Sequence, residues 1–265
     1  MNRDEALELF STYMRLTGVP HLGREPSGGA FAGKRVGIIN GGSWITLWSV
    51  YFGRTILPGA TLVNVGNEAV QLSFMAAHAR GLPTPPESNI AAFARYAHDL
   101  VDLTPIDAVL ITCSTMNRSL DAVREALADW GKPIVQIDEA MMERVVSERS
   151  RPLVIATHGP TVASTQALLR ETAERRGTTL SFAGATIEEA FEDLGRGEVT
   201  GHNERIADCI RSSVATGGID SVVLAQLSMS IFELSYPDPD AAFGIPVYTS
   251  GRTGFERIQT LLSEA

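Results

Sequence analysis

The chain holds two cysteines, Cys113 and Cys209. Only the first sits where a thiol could do chemistry. Cys113 ends the apolar run Ile106-Asp107-Ala108-Val109-Leu110-Ile111-Thr112-Cys113 and is followed by Ser114, Thr115 and Asn117. A strand that stops at a helix start sets its last side chain beside free backbone N–H groups, which favour a thiolate. A thiolate there could take a proton from, or return one to, a carbon beside a carboxylate, or attack a carbonyl. The competing reading is a small apolar residue closing a buried strand. Cys209 lies among Ile206, Ala207 and Ile210 and reads as packing.

The same phrase returns as Ile219-Asp220-Ser221-Val222-Val223-Leu224-Ala225-Gln226-Leu227-Ser228, an offset of 113 residues from Ile106 to Ile219. Gln226 stands where the first copy has Cys113. Two further strand ends offer polar groups, Asn40 after Val36–Ile39 and Thr157 after Leu153–Ala156. Thr157 is followed by His158, Gly159 and Thr161. Asn40, Ser114, Thr115, Asn117, Thr157, Thr161, Gln226 and Ser228 are therefore candidate binders of a small carboxylate, helped by backbone N–H groups at helix starts. For Thr161, plain helix capping competes equally with that role. His158 is a candidate acid or base, because imidazole titrates in the useful range. His202 reads as a helix-start cap, and His21, His78 and His98 have no supporting context. No His, Cys, Asp and Glu combination shows metal-ligand spacing. Asn40-Gly41-Gly42-Ser43 lacks the glycine spacing and lysine of a phosphate-binding loop. No cofactor is expected.

The elements that must position these residues alternate. Helical periodicity marks Arg3 to Thr17, Glu68 to Arg80, Asn89 to Leu103, Ser119 to Trp130, a helix capped by Asp138 and running to Ser147, Thr161 to Arg176, Ile187 to Leu194, His202 to Thr216 and Gly251 to Ser263. Short apolar runs at Val36–Asn40, Leu62–Val65, Ile106 onward, Ile134–Ile137, Leu153–Thr157, Leu180–Ala183, Ile219 onward and Val247–Thr249 read as strands. Solid rather than alternating runs indicate parallel sheets covered on both faces. The order repeats: Pro133-Ile134-Val135 matches Pro246-Val247-Tyr248 at the same offset of 113, and Val36–Asn40 matches Leu153–Thr157 at 117. The expected fold is α/β: two pseudo-symmetric, doubly wound domains with the site in the cleft between their strand ends. The expected divisions are an arm and Gly/Pro-rich linker over 1–33, a first domain over 34–150 and a second over 151–265, with the last helix free to cross back. The arm either packs on the body or makes a dimer contact or lid.

With 265 residues, 44% hydrophobic and 20% charged, the chain can build a large core. A net charge of −9 disfavours a nucleic-acid or acidic-membrane surface. No apolar run approaches a membrane span, and Met1-Asn2-Arg3-Asp4-Glu5 does not read as a signal peptide. The expectation is a cytoplasmic homo-oligomer acting on a small anionic substrate.

The segments Ile111-Thr112-Cys113-Ser114, Val154-Ile155-Ala156-Thr157 with Thr161, and Leu224-Ala225-Gln226-Leu227-Ser228-Met229 carry a resemblance. The chain resembles the aspartate/glutamate racemase superfamily, with its hydantoin racemases, maleate isomerases and arylmalonate decarboxylases, from about Lys34 to the C-terminus. Ile137-Asp138-Glu139-Ala140-Met141 looks like a branch apart from the founding racemases. The resemblance implies paired α/β domains and cofactor-independent chemistry with one cysteine per half, on opposite faces of an α-carbon. Gln226 breaks that pattern. The decarboxylases imply a single thiol that protonates an enolate, but theirs lies in the second half. Three readings stay open: a racemase or isomerase, a one-thiol decarboxylase or lyase, and a carboxylate-binding protein without turnover.

Overall fold

The computed structural model describes residues 2–17, 28–149 and 151–264. The expected boundary at Ser150, His21 and most of the expected linker lie outside the described residues. Among the described residues eight strands form two four-stranded, all-parallel sheets. In the first, β1 (Arg35–Asn40), β2 (Thr61–Gly66), β3 (Ala108–Ile111) and β4 (Ile134–Gln136) stand in the order β2-β1-β3-β4. In the second, β5 (Pro152–Ala156), β6 (Ala183–Thr186), β7 (Ser221–Leu224) and β8 (Val247–Thr249) stand in the order β6-β5-β7-β8. The two orders are the same when the strands of each half are counted from its own start, so the repeat in the sequence is a repeat in the fold.

The repeated Ile-Asp has a structural reason. Asp107 accepts the Arg35 backbone N–H on its carboxylate (2.9 Å) while its own N–H donates to the Arg35 carbonyl (2.8 Å). Asp220 does the same for Arg151, at 3.0 and 3.1 Å to its carboxylate and 3.1 Å from its own N–H. Each aspartate thus sets the register at which β1 or β5 begins, and a register set there fixes which side chains face each way.

Helices cover both faces of both sheets: α1 (Arg3–Thr17), α2 (Thr46–Ile56), α3 (Glu68–Ala79), α4 (Glu87–Leu103), α5 (Leu120–Ala126), α6 (Glu139–Glu148), α7 (Gly159–Arg175), α8 (Glu188–Gly195), α9 (Val199–Thr216), α10 (Phe232–Ser235), α11 (Pro239–Phe243) and α12 (Ser250–Glu264). Alternate residues of each strand feed separate cores. Val36 and Ile38 pack with Phe52 and Ile56 of α2 and with Phe255, Ile258 and Leu262 of α12, whereas Ile39 packs with α3 and α4. In the second sheet Val154 and Ala156 meet α7 and Met141, Met142, Val145 and Val146 of α6, whereas Leu153 and Ile155 meet α9. The halves therefore exchange helices. α6 follows β4 of the first sheet but covers the second, and α12 follows β8 of the second but covers the first. The contact of α12 is close: a Cβ at Gly254 would lie 2.4 Å from Ile137 Cγ1.

Several elements differ from the sequence expectations. α2 carries no clear period, with Gly53 in its second half where Leu62 and Phe255 press in. The strand expected at Leu180–Ala183 lies later, at Ala183–Thr186. Leu180 and Phe182 are apolar because they pack on the core beside α7, not because they pair, and Gly184 admits Val162 and Gln166. Asp138 precedes α6 but makes no cap bond. His202 does not open its helix: α9 starts at Val199, and the His202 Nδ1 lies 2.7 Å from the Ala190 carbonyl of α8. The arm α1 leans on α2, where Arg54 Nη1 donates to the Arg15 carbonyl at 2.9 Å, and it leaves Leu7, Leu9, Phe10, Tyr13 and Met14 exposed. Among the described residues no helix is long and apolar enough to cross a membrane.

Candidate active site

The carboxyl ends of β1, β3 and β7 run into 3₁₀ turns at Ser43–Ile45, Ser114–Ser119 and Leu227–Ile231, while β5 runs almost directly into α7. The turns after β3 and β7 are copies of one another. Cys113 and Gln226 both take extended backbone angles just ahead of their turns, and their carbonyls accept the N–H of Met116 (3.1 Å) and Met229 (3.0 Å). The repeat thus aims Cys113 and Gln226 from equivalent positions in the two halves. Both border one cavity with an empty volume of about 630 Å³, its open mouth included.

Six of the ten candidates meet at that cavity: Cys113, Ser114 and Thr115 from the first half, His158, Gln226 and Ser228 from the second. The other four stand elsewhere. Asn40 lies behind the wall, fully buried and fully used. Its amide NH2 donates to Thr46 Oγ1 (3.3 Å) and Asn64 Oδ1 (3.2 Å), and its carbonyl accepts from Ser49 Oγ (2.9 Å) and Thr112 Oγ1 (2.5 Å). Thr157 is buried behind Gln226. Its N–H and hydroxyl both donate to Gln226 Oε1, at 2.7 and 2.9 Å, which fixes the amide and leaves the NH2 as its donor to the cavity. Asn117 borders a different, charged cleft and pairs with Ser164 of α7 at 3.3 Å. Thr161 is buried in the first turn of α7, with its hydroxyl unpaired and away from the cavity.

Cys113 opens partly onto the cavity, with Thr115 Oγ1 3.1 Å from its sulfur. A Cβ at Gly41 would come within 2.4 Å of that sulfur, so the thiol occupies space that only glycine leaves free. Against the expectation of a thiolate, burial pushes the Cys113 thiol pKa up; the Thr115 hydroxyl and the backbone N–H groups of the turn pull it down, and the charge of Asp138 adds to the rise. His158 packs at a tilt against Phe191 of α8, with ring centroids 4.1 Å apart and planes at 58°. Burial lowers its pKa, opposed by Glu188, so the neutral imidazole is favoured. The resting pair is a protonated thiol and a neutral imidazole.

Two parts of the site were not expected from the sequence. One is Asp138, only 2% exposed, which accepts from Ser114 Oγ at 3.0 Å and Gln136 Nε2 at 2.7 Å. Burial raises its pKa to about 6, against the pull of hydrogen bonds from Gln136 and Ser114. The other is an apolar wall of Ile45, Val70, Phe74, Met75, Met116 and Leu227, with Trp44 at its edge; Trp44 Nε1 donates to Gln71 Oε1 at 2.9 Å, and its ring reaches Phe191 across the cleft. Periodicity finds Val70 and Phe74 as a buried helix face but cannot tell a core face from a cavity wall. The halves are tied near the site by Trp48 Nε1, which donates to the Ser228 carbonyl at 3.0 Å. Among the described residues no group of three or more His, Cys, Asp or Glu could hold a metal ion.

No curated protein matches the chain. Among solved structures, glutamate racemase from Francisella tularensis subsp. tularensis SCHU S4 matches with a TM-score of 0.62 at 16% identity, over 87% of this chain and 81% of that one. An aspartate racemase homologue from Pyrococcus horikoshii OT3 matches with a TM-score of 0.62 at 19% identity, over 87% and 99%. Allantoin racemase from Klebsiella pneumoniae matches with a TM-score of 0.59 at 17% identity, over 88% and 89%. At these identities the likeness is one of fold, two α/β halves facing a shared cleft. Residues 71–258, which span β3 with Cys113, the helix exchange at α6 and β7 with Gln226, match the Asp/Glu/Hydantoin racemase family, and the chain belongs to that family.

Proposed function

We propose that this protein is a cofactor-independent racemase or isomerase that moves a proton on the α-carbon of a small carboxylate, using Cys113 and His158. The observation that carries this reading is that the two groups come from opposite halves of the molecule and border the same cavity. Gln226 holds the position that mirrors Cys113, and an amide does not exchange a proton usefully near neutral pH. His158, which follows the buried Thr157, is the titratable group that the second half brings to the cavity.

The resting protonation states suit the step. The neutral imidazole of His158 removes the α-proton, and the electron pair moves into the carboxylate. The Cys113 S–H delivers its proton to the opposite face, leaving an imidazolium and a thiolate. The reverse passage, from the opposite enantiomer, restores the starting states. Charge that develops on the carboxylate is met by the backbone N–H groups of the Ser114–Ser119 turn, the Ser228 hydroxyl and the Gln226 NH2. Preorganised donors of this kind act most strongly where water is excluded.

The test is solvent exchange. The protein is incubated in heavy water with a panel of single-enantiomer hydroxy, amino and branched carboxylic acids, and α-deuterium is followed by proton NMR. Wild type exchanges at least one of them, and Cys113→Ala, while keeping its circular dichroism, loses exchange into the enantiomer whose proton Cys113 removes. Absence of exchange across the panel would sink the reading. One observation favours a second reading, a one-thiol decarboxylase: burial holds Cys113 protonated, as a donor to an enolate should be. Release of carbon dioxide without exchange into the parent acid would favour that reading.

A further inference from the structure

Among the described residues, none that border the Cys113 cavity is Asp, Glu, Lys or Arg, and its ionisable groups are Cys113 and His158. The nearby carboxylates lie off the wall: exposed Glu188 acts on His158 through its charge, and the others are engaged elsewhere. Asp138 is buried behind Ser114, whose hydroxyl donates to it, and Glu68 accepts the backbone N–H and hydroxyl of Ser43. An ionised group taken out of water without a partner is strongly disfavoured. One anionic head group is provided for by the turn N–H groups, the Ser228 hydroxyl and the Gln226 NH2. An ammonium group or a second carboxylate is not.

Apart from Thr112, Thr115 and Gln71, whose amide oxygen accepts from Trp44, the rest of the wall is apolar and most of it is fixed. Val70 and Phe74 project from α3, and Met116 lies in the turn that follows Cys113, each 5% exposed or less. These three also belong to the core of the first sheet, so the surface they present is close-packed and does not rearrange cheaply. Met75, half-buried, continues the same surface and is the adaptable member.

We propose that the substrate carries a single anionic head group and, on the carbon that Cys113 serves, an uncharged apolar substituent seated against Val70, Phe74, Met75 and Met116. This rests on the reading of Cys113 as the reacting group. It separates the protein from enzymes that take amino dicarboxylic acids, whose ammonium and second carboxylate would both lie unpaired here. The substituent also supplies the discrimination: the apolar wall favours it, and the lack of any counter-charge rejects the charged competitor.

The experiment measures binding apart from chemistry. Affinities of phenylacetate, isovalerate, succinate and L-aspartate are taken by calorimetry on wild type and on Cys113→Ser, which removes the reacting thiol. The expected result is that phenylacetate or isovalerate binds at least about tenfold more tightly than succinate or L-aspartate to both proteins. Met75→Glu, at a half-buried position, is expected to weaken phenylacetate at least about tenfold, while Met75→Leu, which keeps the wall apolar, holds it within about threefold. Tighter binding of L-aspartate or succinate, equal binding of all four, no measurable binding of either apolar acid, or a folded Met75→Glu that keeps full phenylacetate affinity overturns the proposal. Apolar preference in a wild-type protein that shows no α-deuterium exchange supports the substrate class and counts against the proton-transfer reading instead, so the two fail separately.

Discussion

Replacing Asp138 by Asn tests the buried carboxylate that stands behind the site. The side chain is 2% exposed, its oxygens accept from Ser114 and Gln136, and its pKa rises from 3.8 to about 6 on folding. The folded state therefore holds this proton more tightly than the unfolded chain does. Below about pH 3.8 the group is protonated in both states and contributes no pH dependence. Above about pH 6 it is ionised in both, and the folded state carries the whole penalty of the shift. At about 1.4 kcal/mol per pKa unit, that penalty is about 3 kcal/mol. The direction is opposite to that of a salt-bridged aspartate: stability from this group falls as pH rises from about 4 to about 7. Urea unfolding of wild type and Asp138→Asn across that range isolates it, because other carboxylates cancel in the difference. Wild type should lose about 2.4 kcal/mol relative to Asp138→Asn between pH 4 and pH 7, because at pH 4 part of the penalty is already present. A difference that stays flat, or grows in favour of wild type with rising pH, would refute the burial argument. The Asp138 charge also helps to hold the Cys113 thiol pKa up, so the variant should react faster with iodoacetamide at pH 8.

Three further outcomes follow from the geometry. Asn40→Ala strips the partner from Ser49, Thr112, Thr46 and Asn64 at once and should lower stability by about 2–4 kcal/mol in urea unfolding; a loss under about 1 kcal/mol would mean that the network is dispensable. Gly41→Ala puts a Cβ 2.4 Å from the Cys113 sulfur, so α-deuterium exchange should fall at least about tenfold and the alkylation rate of Cys113 should change, with the melting temperature little altered. Gly254→Ala puts a Cβ 2.4 Å from Ile137 Cγ1 and 2.8 Å from its carbonyl oxygen and should cost about 1–3 kcal/mol by overpacking, whereas no cost would contradict the close seat of α12 on the first sheet.

The parts of the fold legible from sequence are those whose signal is local. β1, β3, β5 and β7 are solid apolar runs because both faces of each are covered, and the Ile-Asp repeat survives because Asp107 and Asp220 do the same job at two strand starts. The cysteine, its two hydroxyl neighbours, His158, Gln226 and Ser228 were legible as strand-end residues in a parallel α/β fold. What was not legible depends on partners far along the chain. Asp138 looks like a helix cap until Ser114, 24 residues away, is found against it. Asn40 has the type and place of a substrate ligand, but Asn64 and Thr112 already occupy its amide. Val70, Phe74 and Met116 serve at once as core and as cavity wall, and hydrophobic periodicity reports only the first role. α2 escaped because its helical face is interrupted by Gly53, whose missing side chain is a packing requirement of Leu62 and Phe255.

The proposed chemistry passes a proton across one carbon between Cys113 and His158. The most direct measurement follows each enantiomer of the exchanging acid separately in heavy water, with Cys113→Ala and His158→Gln beside wild type. Each variant should lose inversion of both enantiomers by at least about a hundredfold, since each removes one of the two groups every inversion needs. Unimpaired inversion in either variant would contradict it.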